Sequence, residues 1–299
     1  MTRDPRHSMD TSRQHDNDME PAAVDKMVGS DTASGSLEPP IILPVINAHQ
    51  DPQVLIFNLN DLKQLRNQYG ILGVLLGTLS QYPQQNFFLS IPLRLSVYEV
   101  VWLVETRRGI LVDQLKYRKD KLLTSKQTGK DIKVHVRKDG VIEENAHEYN
   151  FITTRNTDKE GRNEELIHEH QIQLQEYIDQ YIVSNKQLSR KQFMCNYQNF
   201  KYFKELNYYI SPGLKFGGDL VLYPSDPLRF HSHSIVRLGS IDLNDIIIGG
   251  RLATGVKKNY IVVDTQINSN EDHDHESIIT ILQKPDTPKV FSVEWAGFG

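Results

Sequence analysis

Between Leu220 and Ile267 the sequence alternates short apolar runs with turn-forming residues, and no other stretch limits the fold as much. Leu220–Tyr223 has the length of a strand, and the two prolines of Pro224-Ser-Asp-Pro227 end it. After Arg229-Phe-His231-Ser-His233 a second apolar run, Ser234–Leu238, begins. Asp242 to Lys257 then carries Leu243, Ile246, Ile247, Leu252 and Val256 at helical spacing, and Tyr260–Ile267 reads as a further strand. Ser277–Leu282 and Val290–Trp295 are strand candidates beyond it. Strands with a helix packed on one face predict a compact α/β domain of about 100 residues, a common domain size.

The rest of the chain divides around this domain, and the expected boundaries are 1–40, 41–113, 114–195 and 196–299. Residues 1–40 are acidic and rich in Asp, Ser, Gly and Pro, a composition that cannot bury enough apolar surface to order itself. Residues 41–113 read as a small α+β domain. Val54–Phe57 is a strand, and Asn60 or Asp61 caps a helix that Gly70 stops. Phe87–Ile91 is another strand. Ser96 with Glu99 forms a capping box before Val97, Val100, Val101 and Val104, and Gly109 supplies the stop. Residues 114–195 form a charged linker and helical insert. Nine Lys or Arg against two Asp in 116–138 make either a phosphate-contacting patch or, more ordinarily, a solvated linker. Glu164 to Gln192 is read as one helix. In the last domain a short amphipathic helix through Phe200, Phe203 and Leu206 ends where Asn207 to Gly213 breaks it.

Composition narrows the function classes. Net charge is −4, all of it accounted for by the first 50 residues, so the body is neutral and unlike a histone-type polycation. Cys195 is the single cysteine, which excludes an intramolecular disulfide and a cysteine-based zinc cluster, and fits a reducing compartment. No secretory leader is visible, and no apolar run reaches the ~18–20 residues that span a bilayer. Membrane insertion is not expected.

Tyr223 and His231 flank the double-proline turn, and Lys258 follows the helix. Together they suit metal-free cleavage of RNA by its own 2′-hydroxyl. Histidine exchanges protons near its reference pKa of ~6.5, whereas tyrosine, near ~10, needs a neighbouring cation to act as a base. Lysine supplies fixed positive charge where negative charge develops. No cofactor is required. Taken alone the three residue types are unspecific, and a rim tyrosine with a strand-end histidine is the ordinary reading. His233 and Lys257 are equally open as the active histidine and lysine. His233, two residues on, shares a face with His231 if both lie on a strand.

The surrounding text is more specific. Leu214-Lys-Phe-Gly-Gly-Asp219, Val221-Leu-Tyr-Pro-Ser-Asp-Pro-Leu-Arg-Phe-His-Ser-His233, Gly250-Arg-Leu-Ala-Thr-Gly-Val-Lys-Lys258 and Glu294-Trp295-Ala296 closely resemble the tRNA-splicing endonuclease family. Within that family the likeness is to the catalytic subunits that cut at the 3′ splice site of intron-containing pre-tRNA. It is dense over 197–299, looser over 54–113, and absent from 1–40 and most of 114–195. It implies a restriction-endonuclease-like C-terminal domain with a mixed sheet. It also implies roles: Tyr223 as general base, His231 as general acid, and Lys258, preceded by a basic residue as in the family, as transition-state stabiliser. The products would be a 2′,3′-cyclic phosphate and a 5′-hydroxyl. Arg251 and Trp295 match a pair that sandwiches a bulged intron base through stacking and cation–π attraction. A heterotetramer is implied, in which a small structural subunit pairs with this chain near Val290–Trp295 and the other catalytic subunit brings its own structural partner. Nuclear residence is implied, or the cytosolic face of mitochondria in some fungi. Lys215, Gly217, Gly218 and Asp219 read as structural.

Other constellations are weaker. Glu271-Asp-His-Asp-His-Glu276 has zinc-like ligands but the position of a hairpin loop, and His168-x-His170 reads the same way. Rival functions are a non-catalytic scaffold subunit of the same complex, a metal-dependent nuclease, and a binding module built on the 116–138 block.

Overall fold

A computed structural model describes residues 39–78, 89–127, 134–137, 140–143, 167–265, 279 and 288–294. The acidic tail to residue 38, the Glu271–Glu276 cluster, nearly all of Ser277–Leu282 and Trp295 lie outside the described residues.

The N-terminal module is a five-stranded sheet with two helices. Its elements are β1 (Ile41–Ile46), β2 (Gln53–Ile56), α1 (Leu59–Asn67), β3 (Val74–Thr78), β4 (Leu89–Arg94), α2 (Val97–Glu105) and β5 (Gly109–Asp113). Sheet order is β3-β4-β2-β1-β5, with β1–β5 parallel and the other pairs antiparallel. The α1 cap is Asn58 rather than Asn60 or Asp61, because the Asn58 side chain accepts the N–H groups of both. The capping box of α2 forms as expected. Ser96 Oγ accepts the Glu99 N–H, and Glu99 accepts the Ser96 N–H at 2.8 Å. The helix ends at Glu105, four residues before Gly109, and just past its Thr106 cap the chain turns at Arg107, whose φ of 58° is left-handed. Gly109 instead opens β5, and packing accounts for it: a Cβ there would lie 2.7 Å from Leu43 Cδ1.

Helix α3 (Gln114–Gln127) and a hairpin of β6 (Val134–Arg137) and β7 (Gly140–Glu143) follow, so part of the basic block is helical. The single helix expected over Glu164 to Gln192 is instead divided. Helix α4 spans Leu174–Ser184. Helix α5 starts only at Arg190, after the Ser189 cap, and runs to Glu205.

The C-terminal module contains β8 (Tyr209–Pro212), β9 (Leu220–Tyr223), β10 (Ser234–Leu238), α6 (Leu243–Gly255), β11 (Asn259–Asp264) and β12 (Lys289–Val293), in the order β12-β11-β10-β9-β8. The β10–β11 pair is parallel, with α6 as its crossover, and the remaining pairs are antiparallel. Strand β8 occupies the stretch expected only to break a helix; its pairing with β9 makes it a strand. The sheet also carries helices on both faces rather than one. Ile210, Leu222, Val236 and Val263 face α5, while Ile235 and Tyr260 face Ala253 of α6.

Helix α5 joins the two modules. Phe193, Tyr197, Phe200 and Phe203 belong to one buried cluster that also holds Val100 and Leu103 of α2, Ile41 of the first sheet, and Leu222 and Val236 of the second. Tyr98 of α2 stacks on Phe193 and Phe200, with ring centroids 5.6 and 6.2 Å apart. Its hydroxyl accepts from Asn196. Residues from Pro39 onward form one compact unit.

Candidate active site

Three neighbouring strands of the second sheet share an end. Tyr223 is the last residue of β9, and Tyr209 of β8 lies directly opposite it. Strand β10 begins at Ser234, opposite Leu222 on one side and Asn259 on the other. Tyr223, half-buried, therefore finishes its strand where β10 and β11 start. His231 is exposed three residues before β10, and Lys258 directly precedes β11. Backbone pairing holds the segment between them. The His233 N–H donates to the Leu222 carbonyl at 3.0 Å, and the Asn259 N–H donates to the His233 carbonyl at 2.9 Å. The Lys258 Nζ donates to the Ser232 carbonyl at 2.8 Å, one residue from His231, and lies 5.7 Å from the Phe216 ring centroid.

The turn between Tyr223 and His231 is built on Asp226. Its Oδ1 accepts the Leu228 N–H at 2.9 Å, and its carbonyl accepts the N–H groups of Arg229 and Phe230. Across the turn Arg66 of α1 donates Nη2 to Oδ1 at 2.7 Å and Nε to Oδ2 at 3.1 Å. The guanidinium holds the Asp226 carboxyl below its ordinary range.

The end of α6 gives the two lysines different surroundings. Lys257 is left-handed, with φ 53°, and its N–H donates to the Thr254 carbonyl. The Lys258 N–H reaches back to the Ala253 carbonyl. This is the Schellman arrangement, with lysine where glycine is usual. Lys257 is spent on turning the chain, and the turn delivers Lys258 toward Ser232. The two histidines are not on a strand, since β10 starts after them, so a shared face does not follow. The expected structural role of the Gly-Gly-Asp stretch has a physical basis. A Cβ on Gly218 would lie 2.4 Å from Ile235 Cγ2 and 2.8 Å from the Val236 carbonyl oxygen, and Gly217 is left-handed with φ 73°. Asp219 accepts the Leu238 N–H at 2.8 Å.

Arg251 lies exposed on α6, while its expected partner Trp295 is outside the described residues. His168 and His170 do not form a metal cluster; His170 lies against Asp120 at 2.8 Å. Among the described residues no group of three or more His, Cys, Asp or Glu could hold a metal ion. Among them too, no helix is long and apolar enough to cross a membrane.

The family model of the tRNA intron endonuclease catalytic C-terminal domain matches residues 193–273, which hold all three strand ends. The model described as a TSEN34-like N-terminal domain matches residues 45–114. The tRNA-splicing endonuclease subunit SEN34 of Saccharomyces cerevisiae is 32% identical over 289 residues, covering 82% of this chain and 99% of the yeast protein. The chain belongs to the tRNA-splicing endonuclease family. The probable tRNA-splicing endonuclease subunit sen34 of Schizosaccharomyces pombe is 29% identical over 290 residues, covering 82% of this chain and 95% of that protein. Human Sen34 matches over 66 residues at 41% identity, 21% of each chain.

Two residues outside the expected set bear on this family's fold. Arg66 reaches the turn from 160 positions away, and nothing local marks it. Lys204, on α5, is buried and donates to the carbonyls of Tyr69 and Gly70 at 2.8 and 3.0 Å, just beyond α1. It also lies over the rings of Trp102 and Tyr209. Burial, with repulsion from Arg108 added, pulls its pKa down to about 8, against attraction from Glu99. A lysine among aromatics was the only sequence signal.

Proposed function

We propose that this chain is the catalytic subunit that cuts intron-containing pre-tRNA at the 3′ splice site without a metal. The observation that supports it is the meeting of Tyr223, His231 and Lys258 at one end of three adjacent strands. In this reading the 2′-oxygen of the nucleotide before the scissile bond attacks phosphorus, and its proton passes to Tyr223 as general base. The bond from phosphorus to the 5′-oxygen breaks, and His231 protonates that oxygen. Lys258, tethered one residue from His231, offsets the charge that builds on the phosphorane. A 2′,3′-cyclic phosphate and a 5′-hydroxyl result.

The substrate is held across subunits in a nuclear heterotetramer. Strand β12 stands at the sheet edge with Val290 and Phe291 exposed, a surface suited to the small structural subunit. Arg251 with Trp295 serves the cut made by the other catalytic subunit. The test is the reconstituted complex on an intron-containing pre-tRNA. Tyr223→Phe, His231→Ala and Lys258→Ala should each lower 3′ cleavage by at least a hundredfold while the 5′ cut continues. Parental activity should persist in excess EDTA. Normal 3′ cleavage by His231→Ala would return the chain to the role of scaffold.

A further inference from the structure

We infer that Arg66, on the N-terminal module, is a positioning residue for cleavage, holding through Asp226 the turn that sets Tyr223 against His231. This rests on the active-site reading above. Three observations carry it. The first is the two-pronged contact of Arg66 with Asp226, a geometry that fixes orientation as well as distance. The second is what Asp226 does next. With one side-chain oxygen and its carbonyl it accepts three consecutive N–H groups, those of Leu228, Arg229 and Phe230, and the last of these adjoins His231. The third is that α1 is itself anchored to the nuclease module. Lys204 of α5 holds the carbonyls just past α1, and a Cβ on Gly70 would lie 3.2 Å from the ring of Tyr209, the residue opposite Tyr223. Arg66 is thus presented from a fixed base to a turn that is exposed on its outer side at Leu228, Arg229 and Phe230.

The pair is only partly buried, so its direct contribution to global stability is small. Its contribution to geometry is larger, because displacement of a reacting group by about 1 Å can cost on the order of a hundredfold in rate. A residue that merely held the fold would show the opposite balance.

The experiment compares Arg66→Ala, Arg66→Lys and Tyr223→Phe, each in full-length protein within the assembled complex. For Arg66→Ala the expected result is a ten- to hundredfold fall in kcat for the 3′ cut, KM within about twofold of the parent, and faster amide hydrogen exchange confined to residues 225–233. Arg66→Lys, which restores one prong, should recover part of kcat. A parental kcat and parental exchange in folded Arg66→Ala, with Tyr223→Phe inactive, would overturn the positioning role and leave the active-site reading standing. Exchange that quickens in Arg66→Ala while Tyr223→Phe cleaves normally would place the failure in the active-site reading instead. An equal fall in both Arg66 variants, tracking lost thermal stability rather than kcat, would also overturn it.

Discussion

Lys204 shows how a charge is kept inside this molecule. Two of its three hydrogens satisfy carbonyls beyond α1, yet burial still lowers its pKa from 10.5 to about 8. Between those two values the folded protein has released a proton that the unfolded chain retains. The unfolded state therefore binds more protons there, and stability rises with pH across that window. Below pH 8 the cost of burying the charge is fully present. Lys204→Met should abolish that slope. In urea denaturation at pH 7.5 and 9.5, the parent should gain about 2 kcal/mol more than the variant, at ~1.4 kcal/mol per unit. Glu99 runs the other way. Its burial raises its pKa, although the Gly73 and Ser96 N–H groups hold the carboxylate.

Two glycines of α6 illustrate how one element serves two demands. At Gly249 a Cβ would lie 2.2 Å from the ring of buried Tyr260, whereas at Gly255 nothing lies within 4 Å. Gly249→Ala should push the helix off the sheet and lower stability by about 1–3 kcal/mol, outweighing alanine's better helix propensity. Gly255→Ala should raise stability by about 0.5–1 kcal/mol. Thermal melts of the two variants should move in opposite directions. Both positions sit within one helical pattern in the sequence, and the pattern alone does not separate them. The elements legible in advance were those with local punctuation: β9 before its prolines, β10, α6 behind the Asp242 cap, and α2 behind its capping box. Those misread depend on distant partners. Strand β8 exists through β9, and α5 is continuous because its aromatic face meets α2 about 95 residues earlier. The meeting of Tyr223, His231 and Lys258 follows from strand register, which residue spacing does not contain. The family resemblance, not the chemistry of the three side chains, sets them apart in the sequence.

At the scale of the whole chain, the buried cluster runs without interruption from Ile41 of the first sheet through α5 to Val263 of the second. Arg66 with Asp226, partly buried, and Lys204 with Gly70, buried, tie the modules again. Residues 39–299 should therefore unfold in a single transition, with calorimetric and van't Hoff enthalpies equal. Two resolved peaks in a calorimetric scan would show that the modules melt separately. Helix α5 has a broader consequence. Phe193 and Phe200 pack against Tyr98 of α2, and the same buried cluster holds Leu222 and Val236 of the nuclease sheet, so neither half of the chain can drift alone. A substitution on α2 that enlarges or shrinks its contact has to be answered on α5 without disturbing Leu222 or Val236. Among related sequences, the expected trace is correlated exchange between α2 and α5, linking positions that no motif joins.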